Sequence, residues 1–288
     1  MAGWLAVLLL RGLRRIPISL ALALMVPALY AYPLFRRAHA RRLRAAFAAS
    51  PFRERLGLSR YYRMRARLLL LGLKAHGGPL PRHRSEGTGH YQAALASGRP
   101  VVLIGLHAGP LEMLHRIPPA PAGKPFLILT APAFAPTLTE YLATGREGEG
   151  KRILRTGAGG EKGLEQGLRA VLSQGGVLAL MADQYPGPSG ENEFLELWDR
   201  VQVPYPGRML RFLARQDCAF IPVSAFLGID GVTVFRFHPG MARPDASALR
   251  AFLEAAVAQA PEQWNWSYPK IFAVSPRNRA ETLTVLAK

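Results

Sequence analysis

VVLIGLHAGPLEMLH, residues 101–115, decides how this chain reads. The first six residues are aliphatic with a single glycine, a run of the length expected for a strand buried on both faces. His107 ends the run. Gly109 and Pro110 follow, and proline at the first position of a helix with glycine before it marks a helix start. Glu112 then falls in the first helical turn, five residues after the histidine. Two residues five apart in one helix do not share a face. His107 precedes the helix, however, so a bent strand-to-helix turn can bring carboxylate and imidazole together. A carboxylate that holds a proton on one ring nitrogen leaves the other free to act as a base. The same turn offers unpaired helix N–H groups to a developing oxyanion. His107 and Glu112 are therefore the candidate catalytic pair.

Downstream, apolar runs alternate with helical patterns. VVLIGL (101–106), FLILT (126–130), VLALMA (177–182), CAFIPVSAF (218–226) and VTVFRF (232–237) read as strands. EKGLEQGLRAVLSQ (161–174) and DASALRAFLEAAVAQ (245–259) read as helices, the second opening on a capping residue at Asp245 or Ser247. Residues 45–75 read as basic helix, and 76–90 as a loop rich in Gly, Pro and His. This alternation implies an α/β domain, with a central mixed sheet flanked by helices.

The chain of 288 residues carries 37 Lys+Arg against 19 Asp+Glu, a formal net charge of +18. Such a field draws polyanions, nucleic acid or an anionic membrane face. The N-terminus favours the membrane. IPISLALALMVPALYAYPLF (16–35) is twenty residues without a charge, about the length of a helix that crosses a bilayer. Arg11, Arg14 and Arg15 precede it, and Arg36, Arg37, Arg41, Arg42 and Arg44 follow it. Pro17, Pro27 and Pro33 interrupt it. The expected organisation is a membrane-associated N-terminal helix with basic flanks (1–44), then a catalytic domain (45–288). Arginine on both flanks leaves the topology open, and fits equally well a helix that lies in or dips into an anionic leaflet. Neither zinc-finger spacing nor alternating basic and aromatic residues indicates a nucleic-acid partner. No cluster reads as a metal site. Cys218 is the only cysteine, which leaves no intramolecular disulfide, and it reads as buried filler.

The stretch that starts at His107 resembles the HX4D/E motif of glycerolipid acyltransferases. The order of the later segments resembles the bacterial lipid A lauroyl/myristoyl acyltransferase family, which includes phosphatidylinositol mannoside acyltransferases. REGEGKRIL matches an arginine, a glycine four residues on and an apolar strand, at Arg146 and Gly150. VLALMADQYPGP matches a strand that ends in Asp-Gln, at Asp183 and Gln184. RVQVPYPGRMLRFLARQDCAFIPVSAF matches a glycine-led helix and a proline-bearing strand, at Gly207 and Pro222. PEQWNWSYPKIF matches a tryptophan-bearing terminus. There are two departures: Leu197, Trp198 and Asp199 stand where the family usually shows Phe-Phe-Gly, and Ile271 follows Lys270 in place of an arginine.

The resemblance implies an O-acyltransferase that moves a fatty acyl chain from acyl-carrier protein or acyl-CoA to a hydroxyl of a lipid A-type, other glycolipid or lysophospholipid acceptor. It implies no cofactor beyond that thioester co-substrate. Arg146, Asp183 and Gln184 become candidate substrate-binding residues. Arginine suits a phosphate, which it binds with two parallel hydrogen bonds. Asp183 ends an apolar strand, a site position in α/β sheets, where its role is binding or orientation. The competing reading is a non-catalytic basic protein that binds anionic lipid or nucleic acid. His83, His90, His115 and His238 carry no motif and read as surface or turn residues. Trp264 and Trp266 read as packing or interfacial residues.

Overall fold

The computed structural model describes residues 11–13, 15–23, 37–75, 80–110, 113, 116, 118–119, 121–130, 150–155, 160–183, 193–268 and 271–273. Its elements run α1 (Arg37–Ala49), α2 (Leu58–Ala75), β1 (His83–Glu86), α3 (Thr88–Ala96), β2 (Val101–Gly105), β3 (Phe126–Thr130) and β4 (Lys151–Arg155). They continue with α4 (Gly160–Ser173), β5 (Val177–Met181), β6 (Glu193–Leu197), β7 (Val201–Tyr205) and α5 (Gly207–Ala214). Then come β8 (Ala219–Leu227), β9 (Thr233–Phe237), α6 (Ala246–Gln259), a single 3-10 turn at Pro261–Gln263 and β10 (Phe272–Ala273).

Seven strands form the central sheet in the order β1-β9-β8-β2-β5-β3-β4. Only β8 and β9 pair antiparallel within it, so the sheet is mixed, as expected. At its centre β2 lies between β8 and β5, parallel to both. All five residues of β2 are buried, which explains the unbroken apolar run: a strand covered on both faces has no polar side to show.

Alternate residues of the strands feed two cores. On one face Val102, Ile104, Leu178, Leu180 and Phe220 pack with Phe47 of α1, Tyr61 of α2, Leu168 of α4, Leu210 of α5 and Leu253 of α6. On the other, Val101, Leu103, Phe126, Val177 and Ile221 pack with Tyr91 and Ala94 of α3. A second sheet, β10-β7-β6, sits on the first face through Leu195, Leu197, Val201 and Val203. Asp245 caps α6, its side chain accepting from the Ala248 N–H at 2.8 Å.

Three segments differ from the sequence reading. The loop expected over 76–90 contains β1 and the start of α3. β1 is a largely exposed edge strand of four polar residues, held by parallel pairing with β9, so it carries no apolar signature. The helical region 45–75 is two helices, parted by Ser50–Gly57, where Ser50 Oγ donates to the Phe47 carbonyl and Pro51 follows. The β6–β7 hairpin was not anticipated. Its turn places Trp198 and Asp199 at φ 49° and 57°, the left-handed region that glycine favours. Two α6 residues hold it there: Glu254 accepts from the Trp198 N–H at 2.7 Å, and Arg250 pairs with Asp199 at 2.9 Å. Here, at Leu197–Asp199, the sequence departs from the Phe-Phe-Gly pattern.

Most of the uncharged stretch 16–35 lies outside the described residues. The described part is 16–23, of which 18–23 is helical, and Ala21 packs with Leu13 against Leu70 and Leu73 of α2. No helix among the described residues is long and apolar enough to cross a membrane. The boundary read at residue 44 falls within α1.

Candidate active site

The register of the two central strands builds the site. Val101 pairs with Val177 and Gly105 with Met181, so the residues two beyond each strand, His107 and Asp183, come side by side. Both stand at the carboxyl ends of parallel strands, where ligands of open α/β sheets bind. His107 Nδ1 lies 2.7 Å from Asp183 Oδ1. The His107 backbone N–H reaches both carboxylate oxygens, at 3.0 and 2.9 Å, and Trp264 Nε1 donates to Oδ2 at 2.7 Å.

Asp183 is fully buried, while the His107 side chain keeps 20% of its surface exposed. Burying a bare carboxylate costs several kcal/mol. Three N–H donors, at about 1.5–3 kcal/mol for each hydrogen bond to a charged group, offset that cost. An ionised carboxylate only accepts, so the proton between the two side chains sits on Nδ1 and Nε2 is left as the basic lone pair. Among the described residues nothing hydrogen-bonds Nε2. Burial first, and the Asp183 charge second, push the Tyr268 hydroxyl above its ordinary range.

The turn after β2 is fixed by a glycine. Gly109 has φ 66°, and a Cβ there would lie 2.4 Å from the Ala225 carbonyl oxygen. The amides of residues 107–109 are already committed. The His107 N–H goes to Asp183, that of Ala108 to the Leu106 carbonyl at 2.8 Å, and that of Gly109 to the Gln263 carbonyl at 3.3 Å. Pro110 has none. Each amide carries one hydrogen, so these three are not donors for an oxyanion; the helix N–H groups expected in that role begin at Leu111 and Glu112, outside the described residues.

Of the residues singled out in the sequence, the structure brings His107 and Asp183 together. Asp183, read as a residue for binding or orientation, lies against Nδ1. Glu112, to which the sequence reading gave the orienting role, lies with Arg146 and Gln184 outside the described residues. Trp264, read as packing, is fully buried and also donates to Asp183. Nothing in local spacing connects residues 81 positions apart; only the tryptophan-bearing segment itself was a signal. His238, read as a surface or turn residue, is half-buried. Its Nε2 lies 2.8 Å from Ser224 Oγ, and its ring packs edge-on against Phe252. Burial, then the charges of Arg236 and His90, lower its pKa to about 4. Cys218 is buried as expected, which pushes its thiol up to about 11. Among the described residues no His, Cys, Asp and Glu cluster could hold a metal ion.

The model of the family described as bacterial lipid A biosynthesis acyltransferase matches residues 1–271. No curated protein matches the chain.

Proposed function

The chain belongs to the bacterial lipid A biosynthesis acyltransferase family, and with that acyltransferase activity as the premise we propose that His107 is its general base. The observation that carries this reading is the His107–Asp183 pair at the carboxyl ends of the two central strands. Nε2 removes the proton from a hydroxyl of the lipid acceptor. The alkoxide oxygen attacks the carbonyl carbon of an acyl thioester and forms the new C–O bond. The tetrahedral intermediate collapses, the C–S bond breaks, and the thiolate takes the proton back from the imidazolium. The products are an ester and a free thiol, and the chain moves without a covalent enzyme intermediate. Asp183 keeps the proton on Nδ1 and stabilises the imidazolium as it forms.

The donor in this reading is acyl-carrier protein or CoA carrying a fatty acyl chain. The acceptor is a lipid A-type glycolipid or a lysophospholipid. Arg146 is assigned to a phosphate of the acceptor, and Gln184, next to Asp183 in sequence, to the substrate. Glu112 is assigned to the catalytic step together with His107. Residues 16–35 and the arginines at 36–44 are proposed to hold the enzyme on the cytoplasmic membrane, with the catalytic domain on the cytoplasmic face. The expected salt-sensitive attachment is read by sedimentation with anionic vesicles.

The test is acyl transfer by the purified full-length chain in detergent. Acyl-carrier protein and CoA thioesters are each offered with lipid A precursors, glycolipids and lysophospholipids, and products are read by mass spectrometry. The expected result is a lipid heavier by one acyl chain, with one free thiol released per ester formed. Thioester cleavage to free fatty acid with no acylated lipid under any pairing would contradict the assignment.

A further inference from the structure

The indole of Trp264 is completely buried, among Trp198 and Trp266, with ring centroids 6.4 and 4.6 Å away. Its Nε1 is a donor only, and it spends its one hydrogen on Asp183 Oδ2 at 2.7 Å. The other oxygen, Oδ1, faces His107 Nδ1 at the same distance. The backbone at 263–265 is stitched to the turn that carries His107. Trp264 bridges Ala108 in antiparallel fashion, the Asn265 N–H donates to the His107 carbonyl at 2.9 Å, and the Gly109 N–H donates to the Gln263 carbonyl. The Gln263 side chain clasps the backbone of Leu227 in β8, accepting from its N–H at 2.7 Å and donating to its carbonyl at 2.8 Å. One segment therefore fixes both the turn bearing the base and the carboxylate behind it.

We infer that Trp264 is a positioning residue for acyl transfer: its indole N–H pins Asp183 Oδ2 so that Oδ1 meets His107 Nδ1 and Nε2 stays the basic nitrogen. The inference rests on the reading of His107 as general base. Without this donor the carboxylate loses one of its three N–H partners. The remaining negative charge then falls more heavily on Oδ1, and the carboxylate gains freedom to turn about its Cβ–Cγ bond. Among the described residues, the titratable groups around Asp183 are His107, from the end of β2, and Tyr268, from the same C-terminal segment as Trp264.

Replacing Trp264 by β-(3-benzothienyl)alanine keeps the bicyclic shape and removes only the N–H; Trp264→Phe is the simpler companion. Trp266→Phe is the control, because the Trp266 Nε1 donates to the Pro261 carbonyl at 2.7 Å and does not touch Asp183. With the folded benzothienyl variant, kcat should fall about tenfold while KM stays within about twofold. The acid limb of its pH–rate profile should move to higher pH, because the less-solvated carboxylate holds the imidazolium more strongly. Ring ¹⁵N spectra of His107 should show a displaced and broadened Nδ1 resonance in the resting enzyme, as the freed carboxylate turns against it. Trp266→Phe should leave both the acid limb and the ring spectrum in place. A folded benzothienyl variant with wild-type kcat, acid limb and ring spectrum overturns the inference. If His107→Ala abolishes transfer in the same assay, the reading of the base survives that failure; if His107→Ala is fully active, the two fall together.

Discussion

Two histidines stand just past strand ends in this sheet, and each holds one ring nitrogen close to an oxygen: His107 Nδ1 at 2.7 Å from Asp183, and His238 Nε2 at 2.8 Å from Ser224. The distances are alike and the chemistry is not. Asp183 is a carboxylate gathered by three N–H donors, and it answers the positive charge that His107 acquires when it takes a proton. Ser224 is a neutral hydroxyl in the middle of β8, and the charges that reach His238 come from Arg236 and His90, which repel a proton. A histidine becomes a base when a charge of opposite sign backs it, not when it merely has a hydrogen bond. His107 also keeps a fifth of its side chain in solvent, where a substrate can reach it.

The comparison breaks first at His107 itself. His107→Ala should cost about 10²–10⁴ in turnover, the usual worth of general-base assistance. Because the ring sits in a turn and not within the core, circular dichroism should show an unchanged fold. Next comes Asp183→Asn, which keeps the shape but lets the amide NH₂ face Nδ1. That arrangement favours the proton on Nε2, the wrong tautomer, and turnover should drop roughly 10²-fold with little change in KM.

The smallest effect on turnover belongs to His238→Gln, expected to stay within about twofold of wild type. Its consequence lies in stability. The His238 pKa is about 4 in the fold against 6.5 for an ordinary histidine. Between these values the unfolded chain binds a proton that the native one refuses, so the native state loses stability as pH falls from 6.5 toward 4. His238→Gln should remove that part of the acid loss, read as a flatter Tm against pH over this window. An unchanged slope would mean that His238 is not the half-buried neutral group described.

How much of this was legible in the sequence follows from which interactions are local. β2, β3, β5, β8 and β9 lie within one residue of their apolar runs, because a covered strand is mostly apolar; β9 still carries Arg236, which pairs with Glu86 of β1. The Asp245 cap is a contact over three residues and could be read directly. β1 could not, since its four polar residues are held by backbone pairing to a strand 150 positions away. Nor could the β6–β7 turn, which reaches positive φ on Trp198 and Asp199 without a glycine to announce it. At the site, each strand end was readable alone. His107 and Asp183 both terminate apolar runs, yet the pairing of β2 with β5 skips over β3 and β4, and only that topology makes them neighbours. The sequence reading therefore paired His107 with the carboxylate nearest in the chain, Glu112, and left Asp183 to binding or orientation without placing it against the imidazole.

A double-mutant cycle tests the central claim most directly. His107→Ala, Asp183→Asn and the combined variant are compared with wild type by kcat for acyl transfer to lipid, each with its fold checked. If Asp183 acts through His107, removing it after the histidine is gone should cost nothing further, and the double variant should match His107→Ala within about twofold. Losses that multiply, so that the double variant falls below His107→Ala by the full Asp183→Asn factor, would show that the two residues act independently and contradict the account.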